Sequence, residues 1–150
     1  MTTIEEQLKK DGYLVYKIKG VSMMPMLVQN KDVITLRAKK ENERFQENDV
    51  VLYKRLRGKV LTLHRIIEVR DHDYVILGDN CIQKEYGIKD EDILGLLTEF
   101  THNDKHYKVD DADYLNYVSK LRKNENKRIF KRKLMNKMKN SIKKVIHSNG

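Results

Sequence analysis

Three short segments of the chain carry residue types able to do nucleophilic chemistry. Ser22 sits in Gly20-Val21-Ser22-Met23-Met24-Pro25, directly after an alternating stretch that reads as a strand. Gly20 leaves space beside the serine and Pro25 restricts the backbone just beyond it, a way to hold a hydroxyl at the rim of a sheet. His64 lies in Leu61-Thr62-Leu63-His64-Arg65-Ile66-Ile67, where alternation puts it on one face with Thr62 and Ile66 and turns Arg65 to the other. Gly78-Asp79-Asn80 follows a short apolar run. A hydroxyl, an imidazole and a carboxylate are the parts of a serine-hydrolase site with histidine as general base. Each alone has an ordinary explanation, as a turn serine, a strand histidine and a turn-forming Gly-Asp-Asn. Their order and spacing are what make the combination specific.

The elements that must position them are short. Thr2 or Thr3 with Glu5 or Glu6 forms a capping box for an N-terminal helix that Gly12 can end. Strands are expected at Tyr13–Lys19, Val33–Arg37, Asp49–Tyr53, Val60–Val69, Tyr74–Leu77, Ile93–Phe100 and His106–Val109, with Arg57-Gly58-Lys59 as a hairpin turn. This spacing predicts a mainly β, antiparallel, sandwich- or barrel-like domain over 1–109. After Asp110–Asp113, which can cap a helix, the pattern becomes helical through residue 150. Phe130, Leu134, Met138, Ile142 and Val145 recur at helical spacing and build one apolar stripe among lysines and arginines.

The charge is concentrated there. The chain of 150 residues carries a net charge of +9, yet residues 118–150 hold twelve Lys and Arg against the single acid Glu125. The body is close to neutral. Such a basic amphipathic tail, over 118–147, suits an anionic membrane surface or a protein partner. A solvated helix is the plain alternative. Nucleic acid is disfavoured, because Phe130 is the only aromatic in the stretch and no reading motif is present. Cys81 is the only cysteine, so no internal disulfide forms. His72, His102, His106 and His147 show no metal-ligand spacing, and there is no phosphate-cradling glycine loop; no metal or cofactor is expected. No run of 18 apolar residues exists and MTTIEEQLKK is not a signal peptide, so a cytoplasmic protein, peripheral at the inner membrane surface, is expected.

The ordered boxes Ser22-Met23-Met24-Pro25, Asn48-Asp49-Val50-Val51, His64-Arg65 and Gly78-Asp79-Asn80 resemble those of the signal peptidase I family and the self-cleaving repressors grouped with it. The resemblance covers residues 12–98 and implies a β-rich peptidase fold with Ser22 as nucleophile. It matches the endoplasmic-reticulum-type branch, in which a histidine, here His64, stands where the bacterial branch has lysine. Histidine needs little tuning for general-base work, because its ordinary pKa is about 6.5. The resemblance further implies an acid that orients His64, and both Asp79 and Glu85 qualify. Gly20, Met23 and Pro25 are then expected to bind substrate, and the serine's own N–H to face the oxyanion. Two boxes depart from the family pattern. Lys31-Asp32 and Asn48-Asp49 stand where relatives have Gly-Asp; Asn tolerates a left-handed backbone and Lys does so poorly, so the turn at Lys31 is expected to differ. The family's membrane-spanning helix before the serine is also missing. The expected function is a serine endopeptidase that cleaves a leader or signal-like peptide bound as an extended strand. The alternative is a catalytically silent peptide- or membrane-binding module on the same fold.

Overall fold

The computed structural model describes residues 2–55 and 58–148. Helix α1 (Ile4–Asp11) opens at Thr3, whose hydroxyl accepts from the Glu6 N–H while the Glu6 carboxylate accepts from the Thr3 N–H. Gly12 ends it in the left-handed region, its N–H donating to the Leu8 carbonyl. Eight strands follow: β1 (Tyr13–Lys17), β2 (Val33–Ala38), β3 (Val50–Arg55), β4 (Val60–Val69), β5 (Tyr74–Leu77), β6 (Glu85–Ile88), β7 (Ile93–His102) and β8 (Lys105–Lys108). Of the hairpin turn expected between β3 and β4, Arg57 lies outside the described residues. Helices α2 (Ala112–Lys123) and α3 (Glu125–Ser148) end the chain.

The strands make one antiparallel sheet in the order β1-β2-β7-β3-β4-β5-β6, with β8 hairpinned onto β7. Its edges β1 and β6 are not bonded to each other among the described residues. The sheet therefore curls without closing. Register shifts at Thr35/Leu36, Leu52/Tyr53 and Ile66/Glu68 supply the local bends. Both faces are packed. Val50 and Leu52 point into a cluster with Leu8, Leu14, Leu36 and Leu97, whereas Val51 and Tyr53 join Ile66, Tyr74, Ile76 and Ile93 on the other side. That two-sided burial explains why β3 reads as a continuous apolar run.

Two features of the fold were not expected from the sequence. Strand β6 forms from Glu85-Tyr86-Gly87-Ile88, a segment of four residues interrupted by a glycine. Helix α2 is part of the body, since Tyr114 and Val118 are buried in the core. The left-handed residue before β2 is Asn30 (φ 61°), so Lys31 is spared that conformation; before β3 it is Asn48 (φ 78°), as Asn's tolerance allows.

A charged group holds these parts together. Arg65, on the face of β4 opposite His64, is 0 % exposed. Its Nε and Nη2 each donate to the Asp79 carboxylate at 2.9 Å. Its Nη1 donates to the Asn48 carbonyl and to the Tyr114 hydroxyl, both at 2.9 Å. Tyr117 donates to the same Asp79 carboxylate at 2.8 Å. The pair thus joins β4, the turn after β5, the turn before β3, and α2. Asp79→Ala would leave a guanidinium buried without its counter-charge, and should cost about 3–5 kcal/mol of unfolding free energy. Urea titration reads this directly, and an unshifted midpoint would show that Arg65 reaches solvent.

Candidate active site

Ser22 lies in the loop between β1 and β2, a compact run of turns pinned from below by Met23, Met26 and Leu27, all in the core. The Ile18 N–H donates to the Asp32 carbonyl at 2.9 Å, and the Val28 N–H donates to the Asp32 carboxylate at 2.7 Å, closing the base of the loop. Its outer side is held by the turn after β5. The Asn80 N–H donates to the Ser22 carbonyl at 2.9 Å, and the Asn80 side chain donates to the Val21 carbonyl at 3.0 Å. Two segments distant in sequence are thus joined around the serine.

Gly78 shows how close the approach is. A Cβ placed there would lie 2.7 Å from the Ser22 carbonyl oxygen, 2.7 Å from Cys81 Sγ and 2.9 Å from His64 Nε2. Only glycine fits. The Ser22 segment, the imidazole edge and the Cys81 thiol therefore border one small volume. Ser22 itself is half-buried, and its hydroxyl makes no hydrogen bond to His64 among the described residues. Catalytic hydrogen bonds commonly tighten only when substrate is bound.

His64 is 4 % exposed. Its Nδ1 faces the Tyr53 hydroxyl at 3.1 Å and Glu85 Oε1 at 3.8 Å. Glu85 is held in turn by Arg55 Nε at 3.0 Å. Burial, then the neighbouring Glu85 carboxylate, pushes the Tyr53 hydroxyl well above its ordinary range, so Tyr53 keeps its proton. In the tautomer that carries its hydrogen on Nδ1, the ring donates to the Tyr53 oxygen. That arrangement leaves Nε2 unprotonated on the side of Ser22 and Cys81. The Cys81 thiol is 4.0 Å from Nε2 and 3.9 Å from the Ser22 carbonyl. Burial raises its pKa and keeps it neutral.

Of the two carboxylates expected to orient His64, Glu85 lies beside its ring. Asp79 is taken up by Arg65 and Tyr117. Gly20 adopts φ 80° two residues before Ser22. Met23 points inward, packed beneath the loop. Pro25 is exposed and, with Met26, Phe100, Tyr107, Tyr114 and Tyr117, lines a separate cavity of about 320 Å³. Tyr53 was missed in the sequence. Its signal is its position on β3, two residues after Val51, which pairs with His64 in the register. No group of three or more His, Cys, Asp or Glu placed to hold a metal is found among the described residues. No family model matches this chain, and no curated protein matches it.

Burial, and then the Arg55 charge, lowers the His64 pKa from 6.5 to about 4, with Asp79 acting weakly in the opposite direction. The ring is therefore neutral in the folded protein where it would begin to charge in the unfolded chain. Between these two values the unfolded state binds more protons, so the stability that His64 contributes is complete above pH 6.5 and is lost as pH falls toward 4. The full span corresponds to about 3 kcal/mol. Urea unfolding of the native protein and of His64→Gln across this window isolates the effect from the other histidines. The difference between the two curves should shrink toward the acid end, and a pH-independent difference would contradict a buried neutral ring.

Proposed function

We propose that this chain is a serine endopeptidase of the signal-peptidase type, acting through Ser22 and His64. The observation that carries the reading is the convergence at Gly78, where the Ser22 segment and His64 Nε2 come within 3 Å of one Cβ position although they lie on different elements. The curled antiparallel sheet and the ordered sequence boxes support the same peptidase fold.

In this mechanism Ser22 Oγ attacks the peptide carbonyl while His64 Nε2 takes its proton, and the imidazolium returns that proton to the leaving amine. Tyr53 and Glu85 hold the tautomer that makes Nε2 the acceptor, and they stabilise the charge that appears on the ring. Asp79 acts at one remove by fixing Arg65, next to His64 on β4. The Ser22 N–H donates to no other group among the described residues and is free to meet the oxyanion. The substrate is a leader or signal-like peptide in an extended conformation, with small side chains on the acyl side. No described helix is long and apolar enough to cross a membrane. The proposed setting is the cytoplasm, at the inner membrane surface.

Purified protein incubated with a diverse peptide mixture, with products read by mass spectrometry, tests this. Ser22→Ala and His64→Ala should each lower cleavage by about 10³-fold or more. Tyr53→Phe should lower kcat by roughly tenfold with little change in KM, because it loosens ring orientation without touching substrate. The acid limb of kcat/KM should inflect near the His64 value of about 4. Products unchanged in both alanine variants would exclude the assignment. No cleavage under any condition would leave the fold as a binding module.

A further inference from the structure

Helix α3 is fastened to the body at its base only. Ile129 packs against Ile67, Val75 and Leu77. The Arg128 guanidinium donates to the Cys81 carbonyl at 2.6 Å, and Arg132 donates to the Asn80 carbonyl and to its side-chain oxygen. From residue 133 to residue 148 every residue is exposed. Leu134, Met135, Met138, Ile142, Val145 and Ile146 stand there at 48–64 % exposure. At about 100° per residue these six fall within a sector of about 120°. Lys133, Lys137, Lys139, Lys143 and Lys144 occupy the rest of the circumference. Beyond Glu125 the helix has no acidic residue.

This pairing of features selects among coverings. The α3 of a second copy would bury the stripe but would set lysines against lysines with no acid beyond Glu125 to meet them. A nucleic acid would match the charge and leave six apolar side chains in water. An anionic bilayer satisfies both, taking the stripe among its acyl chains and the lysines at its headgroups. We infer that α3 is an interfacial helix that lies in the surface of an anionic bilayer, with Leu134–Ile146 inserted. Because Arg128 and Arg132 clamp its base to Asn80 and Cys81, the turn that holds the Ser22 loop is carried at the membrane face. Only the meaning of this last consequence for cleavage rests on the peptidase reading.

The full chain should float with phosphatidylcholine vesicles that contain phosphatidylglycerol and not with phosphatidylcholine alone. Met138→Glu/Ile142→Glu alters two exposed positions and should leave the circular dichroism spectrum and melting unchanged. It should weaken vesicle binding by more than about tenfold, because two inserted side chains become charges. Three results would overturn the inference: no flotation with the anionic vesicles, equal flotation of the double variant, or a dimer in light scattering that the double variant dissociates. Flotation involves no cleavage, so its failure leaves the peptidase reading standing, and an inactive protein that floats leaves this inference standing.

Discussion

The buried Arg65–Asp79 pair is the constraint on which the rest of this structure depends. Two charges removed from water are tolerated only when geometry and further hydrogen bonds offset the desolvation, which amounts to several kcal/mol per ion. Arg65 meets that condition by donating to Asp79, to the Asn48 carbonyl and to Tyr114, while Tyr117 completes Asp79. These partners come from three parts of the chain: the turn after β5, the turn before β3, and α2. An apolar pair of similar volume could fill the same space, but it would not dictate which turn meets which helix. The pair and its hydrogen bonds tie β4, the turn after β5, and α2 into one arrangement.

That arrangement divides β4 into two working faces. Arg65 and Asp79 occupy one and His64 the other, so the carboxylate of the Gly-Asp-Asn turn is fully engaged away from the imidazole. His64 instead meets a hydroxyl and, behind it, the carboxylate of Glu85, itself paired with Arg55. Burial and the nearby Arg55 charge make protonation of the ring unfavourable. A positive charge formed on the ring would have Tyr53 and Glu85 already in place to receive it.

The elements whose signals are local were legible in the sequence. Thr3 and Glu6 form the expected box, the seven expected strands are present within a few residues, and Asn48 takes the left-handed turn before β3. The elements set by distant neighbours were not. Strand β6 has Gly87 at positive φ and exposed Tyr86, so it owes its pairing to β5 rather than to its own pattern. Helix α2 reads as the start of a solvated tail until Tyr114 and Tyr117 are seen to face Arg65 and Asp79. At the site, residue types and order pointed to Ser22 and His64, and the structure brings their segments together. That Glu85 rather than Asp79 lies beside the ring could not be read from spacing, because it turns on where Arg65 goes. The ordinary pKa of histidine was likewise a poor guide, since burial is a property of the fold.

The joints around Ser22 and His64 also fix when the two can meet. Asn80 reaches back 59 residues to the Val21 carbonyl, and Arg132 reaches back 52 to Asn80. Contacts of such sequence separation form only after long loops have closed, late in folding. As the chain leaves the ribosome, Ser22 and then His64 emerge before the turn that joins them. The turn that unites them is fastened only once the base of α3 has followed. The juxtaposition of Ser22 and His64 is thus a property of the folded chain and of no shorter piece of this sequence.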